Sequence, residues 1–311
     1  MLDHKNFVLF LAFLLMSPNI VQQNMMSAEG GKLTADGVIS RHLQSIGTPE
    51  LLKKIQSRSI QGAASYRFIQ GMTGIGTDGE FNFVSTDDRL AIIMKFKDVD
   101  YPGEYLAFDG KEVSVGHMKP GQRSPLADFI FRNNKLMKEG LLGGVLSIDW
   151  PLLDAKRKGA SFKNRTIKIE GRQLHELEYR PNKSLGDIII KMYFDIETFR
   201  HVRTEYKVRI GDDSSTLPEG ASRRRSVGIS RYPGDTSSSE ILDAVPDSIY
   251  HLIERFDDFT NCDGLTLPTT YSIEYSIEGQ GSSFLGHWNM KAIGPLVHNG
   301  EIREDVFKAQ K

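Results

Sequence analysis

Apolar and polar positions along the chain follow two periods. Val38, Ile39, His42, Leu43 and Ile46 recur at helical spacing, with Thr34 placed to cap the first turn and Gly47 to stop the last. Thr48-Pro49-Glu50 starts a second, short helix, with Pro49 at the first helical position, where its missing N–H costs little. Leu51, Leu52 and Ile55 give that helix its apolar face. Beyond Gln56 the period is two. Ile60, Gly62, Ala64, Tyr66 and Phe68 share one face and Ser59, Gln61, Ala63, Ser65 and Arg67 the other, which predicts a half-buried strand. The same alternation marks Phe81 and Phe83, then Leu90, Ile92, Met94 and Phe96, then Leu106 and Phe108. Asp109-Gly110 predicts a hairpin turn into Val113 and Val115. Strands joined by such short turns pair antiparallel, because a parallel pair needs a long crossover.

Ser124-Pro125 opens a helical insert carrying Leu126, Phe129 and Ile130, and Leu136, Leu141 and Leu142 predict a second helix in it. The insert ends near Gly143-Gly144 and Trp150-Pro151. Strands resume over Thr166–Glu170 and Leu174–Tyr179, then over Ile188–Phe194. In the next strand Val202, Thr204, Tyr206 and Val208 alternate with a polar face of His201, Arg203, Glu205 and Lys207. Residues 211–248 lose the pattern and are rich in Ser, Asp, Gly and Pro, so a mobile loop is expected there, with Arg223-Arg224-Arg225 as solvated surface. Further strands are predicted at Tyr250–Phe259, Leu267–Glu278 and Phe284–Ile293.

Composition narrows the function classes. The chain has 311 residues, 39% of them hydrophobic, which allows one large domain or two modest ones with a sizeable core. With 39 basic against 40 acidic side chains it lacks the cationic surplus that phosphate recognition needs, so nucleic acid is not an expected partner. One cysteine, Cys262, excludes an intramolecular disulfide and a cysteine-rich metal site. Phe7 to Met16 is an unbroken apolar run, shorter than the roughly 20 residues that span a bilayer but suited to the core of a secretory signal. Residues 1–28 are therefore expected to be a signal peptide, with residues 29–311 as a single domain. A buried helix or a membrane anchor is the alternative for the run.

Motif tests for chemistry are negative. Gly74-Ile75-Gly76-Thr77-Asp78-Gly79 matches GxGxxG, but a strand pattern follows where a dinucleotide site requires a helix, so a hairpin between strands is expected. His175-Glu176-Leu177-Glu178-Tyr179 starts like a zinc motif and has Tyr179 in place of the second histidine. Asp257–Gly264 resembles a calcium loop with Phe259 at the first ligand position. There is no phosphate loop and no nucleophile elbow. His42, His117, His201, His251 and His287 read as surface or hydrogen-bonded residues, and Cys262 as an inert thiol. No cofactor, metal or catalytic residue is expected.

Several local motifs together resemble a family: Ser45-Ile46-Gly47-Thr48, Ile60-Gln61-Gly62, Phe108-Asp109-Gly110-Lys111, Glu139-Gly140-Leu141-Leu142-Gly143-Gly144, Tyr193-Phe194-Asp195 with Thr198-Phe199-Arg200-His201-Val202, and Asp263-Gly264-Leu265-Thr266-Leu267-Pro268-Thr269. These look like secreted, outer-membrane lipoprotein-sorting-like proteins related to the LolA and LolB carriers, over about Thr34 to Ile293. The resemblance implies an α+β fold, an antiparallel half-barrel with helices packed on its concave face. It implies a periplasmic, non-enzymatic carrier that holds a lipid or lipoprotein acyl chain and meets a membrane-associated donor or acceptor protein. The strand pattern agrees that one sheet face is rich in aromatic and aliphatic side chains. The expected cavity wall is Tyr66, Phe68, Phe81, Phe83, Ile92, Met94, Phe96 and Phe108, with Phe129, Ile130 and Leu142 as lid. A structural or protein-interaction module with a fully packed sheet is the rival, and a hydrolase with a dispersed triad the third reading.

Overall fold

The alternating segments form strands that pair in an antiparallel meander on each side of the helical insert. The computed structural model describes residues 33–70, 73–154, 159–182, 185–210, 248–279 and 282–309. The expected signal (1–28) and the loop expected at 211–248, up to residue 247, lie outside the described residues. Within the unit Thr34–Lys311, α1 (Ala35–Ile46) is capped by the Thr34 hydroxyl accepting from Gly37 N–H, and α2 (Pro49–Lys54) by Thr48 in the same way.

The first strands are β1 (Ser57–Gln70), β2 (Thr73–Thr86), β3 (Arg89–Phe96), β4 (Gly103–Phe108) and β5 (Val113–Val115). The insert then contributes α3 (Pro125–Arg132), the single turn α4 (Lys135–Lys138) and 3-10 turns at Gly144–Leu146 and Pro151–Asp154. After it come β6 (Ser161–Ile169), β7 (Arg172–Arg180), β8 (Ile188–Asp195), β9 (His201–Ile210), β10 (Ser248–Cys262), β11 (Leu265–Gly279), β12 (Ser282–Ala292) and the short β13 (Val297–His298). The sheet order is β5-β4-β3-β2-β1-β12-β11-β10-β9-β8-β7-β6, and it does not close on itself; β13 pairs with β1. The two meanders therefore meet at one seam, β1 against β12, with Tyr66 opposite Trp288 and Ala64 opposite Met290.

Three local expectations need correction. Gly74 to Gly79 is not a hairpin but part of β2, paired along β1. Its glycines serve close backbone approach, since a Cβ on Gly76 would lie 2.1 Å from Tyr66 O and one on Gly79 2.0 Å from Lys95 O. The second helix of the insert ends at Lys138, because Gly140 and Gly143 take positive φ (69° and 79°) and turn Leu141 and Leu142 out of a helical path. His201 is not on a polar face. A register shift between Tyr193 and Phe194 places it opposite Phe194 while Arg203 opposes Tyr193. The extra residue, Val202, turns the imidazole inward, where it is fully buried.

The two faces of the sheet are treated differently. The inner face carries the aromatic and aliphatic stripes and the insert. On the outer face, β6 to β12 and β1 bear a row that runs Lys163, Glu178, Lys191, Glu205, Ile253, Glu274, His287 and Arg67 through successive register partners. Such a row of mostly alternating charge keeps the face wetted. On β2 to β4 the outer face instead presents Val84, Ala91, Ile93 and Ala107, covered by Phe307 and flanked by Ile302 and Val306 of the C-terminal segment. Tyr105 hydroxyl donates to Val306 O, and Arg89 lies over the Phe307 ring.

Candidate functional site

All eleven residues expected to line a cavity are buried on the inner side. The structure brings Tyr66, Phe68 and Phe96 into one cluster with Tyr101 and Trp288, with ring centroids 4.6 to 5.6 Å apart. Phe129 of α3 meets Tyr275 of β11 at 5.1 Å. Phe83 lies directly beneath Gly143, so closely that a Cβ there would be 2.6 Å from the ring. Ile92, Met94 and Phe108 continue the face, and Ile130 and Leu142 belong to the segment that covers it. A cleft of about 1130 Å³ opens elsewhere, on the outer face beneath the C-terminal segment. Of the eleven residues only Phe81 and Met94 border it.

The insert is tied to the inner face at polar points, and these were missed in the sequence. Arg58 of β1 is 3% exposed and donates through Nη1 to Val145 O (2.7 Å) and Leu146 O (2.9 Å). Its Nε donates to His298 Nε2 at 3.2 Å, so the His298 proton sits on Nδ1 and points to Asp263 Oδ2, also at 3.2 Å. Burial lowers the Arg58 guanidinium to about 10, still charged at neutral pH. Ser85 Oγ accepts from Ile148 N–H at 2.9 Å. Glu254 of β10, fully buried, accepts from Gly143 N–H (2.7 Å) and from Tyr271 hydroxyl (2.5 Å), with Tyr206 hydroxyl at 2.7 Å. At the insert's start Ser124 caps α3, accepting from Ala127 N–H, and also bonds Glu104 of β4.

The signal for these residues was present. Arg58 is in phase with Ile60, Ala64 and Tyr66; Glu104 with Leu106 and Phe108; Glu254 with Leu252 and Phe256. An ionisable residue in step with an apolar strand face must find a partner inside, because burying it bare costs far more than a hydrogen bond returns. At the far end of the insert Trp150 packs on His201 (4.7 Å) and on His42 (5.3 Å). His42 Nδ1–H donates to Phe199 O at 2.8 Å, and burial lowers its pKa to about 4, so the ring is neutral. His251 and His287 stand near Glu205 and Glu274 on the outer face. Cys262 is a free, half-buried thiol.

No protein-family model matches the chain, and no curated protein matches it. Among solved structures it is similar to a LolA superfamily protein from Nitrosomonas europaea, at 10% identity and a TM-score of 0.38, over 89% of this chain and 98% of that one. It is similar to a DUF1329 family protein from Desulfovibrio piger at 11% identity and a TM-score of 0.36, over the same shares. A chain of the Pseudomonas aeruginosa MucA/MucB complex aligns with 85% of this chain and 99% of that one, at 9% identity and a TM-score of 0.21. At such identities and scores the site has to be read from its own residues.

Proposed function

We propose that this protein is a non-enzymatic carrier, exported across the inner membrane to the periplasm, that shelters a lipid or lipoprotein acyl chain. The cargo lies on the inner aromatic face, the concave side of a half-barrel, after the segment from Ser124 to Asp154 has moved aside. A membrane-associated protein hands the cargo over or receives it. One observation carries this reading: the insert covers a continuous apolar face with apolar side chains of its own, Leu126, Phe129, Ile130, Leu142 and Trp150 among them, and is joined to it by hydrogen bonds between Arg58, Ser85, Tyr206 and Glu254 and backbone atoms of residues 141–148. Water can take over the hydrogen bonds, and an acyl chain that buries about 300 Å² of its surface gains about 7 kcal/mol towards replacing the insert's apolar contacts. Phe81, Phe83, Met94 and the Tyr66–Phe68–Phe96 cluster then form the wall, with Phe129, Ile130 and Leu142 as the displaced lid.

Native mass spectrometry of the purified protein, with uptake of the neutral dye N-phenyl-1-naphthylamine, tests this. Co-purified lipid or saturable dye uptake, reduced by Phe83→Ser and Met94→Thr, is the expected result. A lipid-free protein that takes up no dye overturns the carrier and leaves an interaction module with a packed sheet; turnover of ester substrates replaces it with a hydrolase.

A further inference from the structure

Two carboxyl groups stand on the inner face where strand alternation calls for apolar side chains, and each touches the insert. Around Glu254 the protons can be counted. Oε1 accepts from Gly143 N–H and from Tyr271 hydroxyl. Oε2 lies 2.7 Å from the Tyr206 hydroxyl, which itself lies 2.9 Å from Leu141 O. Tyr206 has one proton and two oxygens asking for it. If Glu254 is ionised, that proton goes to Oε2, and the buried Leu141 carbonyl goes without. If Glu254 carries a proton on Oε2, it donates to Tyr206 Oη, and the Tyr206 proton passes on to Leu141 O. Only the neutral carboxyl satisfies every one of these groups, and an unmet buried acceptor is costly.

The surroundings agree. The side chains facing Glu254 are Thr204 and Tyr206 from β9 and Tyr271 and Ile273 from β11, and the insert presents backbone there. His201 reaches the group through Thr204, its Nε2 lying 2.8 Å from the Thr204 hydroxyl, which in turn bonds Tyr206; His42 lies farther along against Trp150, and burial keeps both histidines neutral. Glu104 stands at the insert's start with a different count, because its two hydroxyl partners can both donate to it. Tyr101 hydroxyl donates to its Oε1 at 2.6 Å, Trp288 Nε1–H donates to Tyr101 Oη at 2.6 Å, and Ser124 reaches it from the cap of α3. Burial raises both carboxyls, Glu104 to about 7, against hydrogen bonds that pull them down.

We propose that Glu254 is a proton-dependent latch on the insert: it holds a proton while the insert is seated and releases it when the insert lifts into water. The latch rests on the reading of residues 124–154 as a movable plug. Opening therefore rises with pH, by up to tenfold per pH unit, between the ordinary carboxylate range and the value in the seated form. His42 and His201 act in the other direction below about pH 6.5, where lifting Trp150 lets them gain protons.

Hydrogen–deuterium exchange of amides 141–148, corrected for the intrinsic rate at each pH, reads the opening equilibrium in the full chain. The opening constant of the wild type, divided by that of Glu254→Gln, is expected to rise about threefold or more from pH 5 to 8, the histidines contributing equally to both proteins. Glu254→Gln supplies the same acceptor and donor as the neutral acid, so its insert stays seated. A Glu254→Gln variant with the wild-type pH slope overturns the latch. Dye uptake in the same samples separates the two claims: a pH-dependent opening without uptake refutes the carrier and keeps the latch, and uptake without a pH slope does the reverse.

Discussion

Two aromatic clusters occupy the inner side, and they differ in how their polar atoms are met. In the first, Tyr66, Phe68, Phe96, Tyr101 and Trp288 interlock, and their polar handles are paired: Tyr66 hydroxyl to Asp98 (2.5 Å), Trp288 N–H to Tyr101, Tyr101 to Glu104. In the second, His42, Trp150, Phe194, His201 and Phe256 gather where α1 and the insert meet the sheet, and His42 Nε2 and Trp150 Nε1 find no hydrogen-bond partner among the described residues. The first joins strand to strand across the β1–β12 seam. The second joins the sheet to a segment argued to move. When a cluster parts, a satisfied polar atom only exchanges its partner for water, whereas an unmet atom gains one, so the polar groups favour opening the second cluster and not the first.

The sharpest way to break this comparison is truncation. Phe68→Ala in the first cluster is expected to cost about 3–5 kcal/mol of global stability, read as a lower urea midpoint. Trp150→Ala in the second should cost less globally and appear instead as faster exchange of amides 141–148. Equal global losses would show that the two clusters unfold as one.

Acidity should distinguish them next, with effects of about 3 kcal/mol each. His42 has a folded pKa of about 4, below its ordinary 6.5. The unfolded chain takes up the proton first, so stability falls as pH drops from 6.5 towards 4. Glu104, at about 7 when folded against an ordinary 4.5, does the opposite. The unfolded chain gives up its proton first, so stability falls as pH rises from 4.5 to 7. Urea titrations from pH 4 to 8 should therefore show a shallower acid limb in His42→Leu, with His201 supplying the rest, and a shallower upper limb in Glu104→Gln, with Glu254 supplying the rest.

A smaller contrast separates the tryptophans. Trp288→Phe leaves Tyr101 Oη without its donor and should cost about 1–3 kcal/mol through that loss. Trp150→Phe removes an N–H with no partner among the described residues, and its cost in the same denaturation assay should be the smaller. The outer face sets the lower bound. Arg180, about half exposed and 2.7 Å from Glu178, should contribute less than about 1 kcal/mol, fading further in salt, by thermal melts of Arg180→Ala.

Much of the fold was legible because the strands alternate strictly. The faces of β1, β3 and β4 and the caps Thr34, Thr48 and Ser124 follow from spacing and turn chemistry alone. The site was legible only in its apolar half. That Phe83 meets Gly143, or that Glu254 meets Gly143 and Tyr206, depends on how the insert folds back over strands far away in sequence. His201 was misplaced because a bulge breaks the two-residue period, and no local residue type announces it. Gly74 to Gly79 misled in the other direction, since glycine marks a turn and a tight strand contact alike.

The β1–β12 seam has a consequence for how the polypeptide matures. Gly62 pairs with Ala292, so the centre of the sheet waits for nearly the last strand to be delivered. Closing a loop on the order of 200 residues costs about 5 kcal/mol of chain entropy before any contact repays it, and such distant pairings are slow to form. Until its far end emerges, the nascent molecule is two unjoined ribbons with a bare common border. That delay leaves a holdase chaperone a defined target: the unpaired margin of the first ribbon.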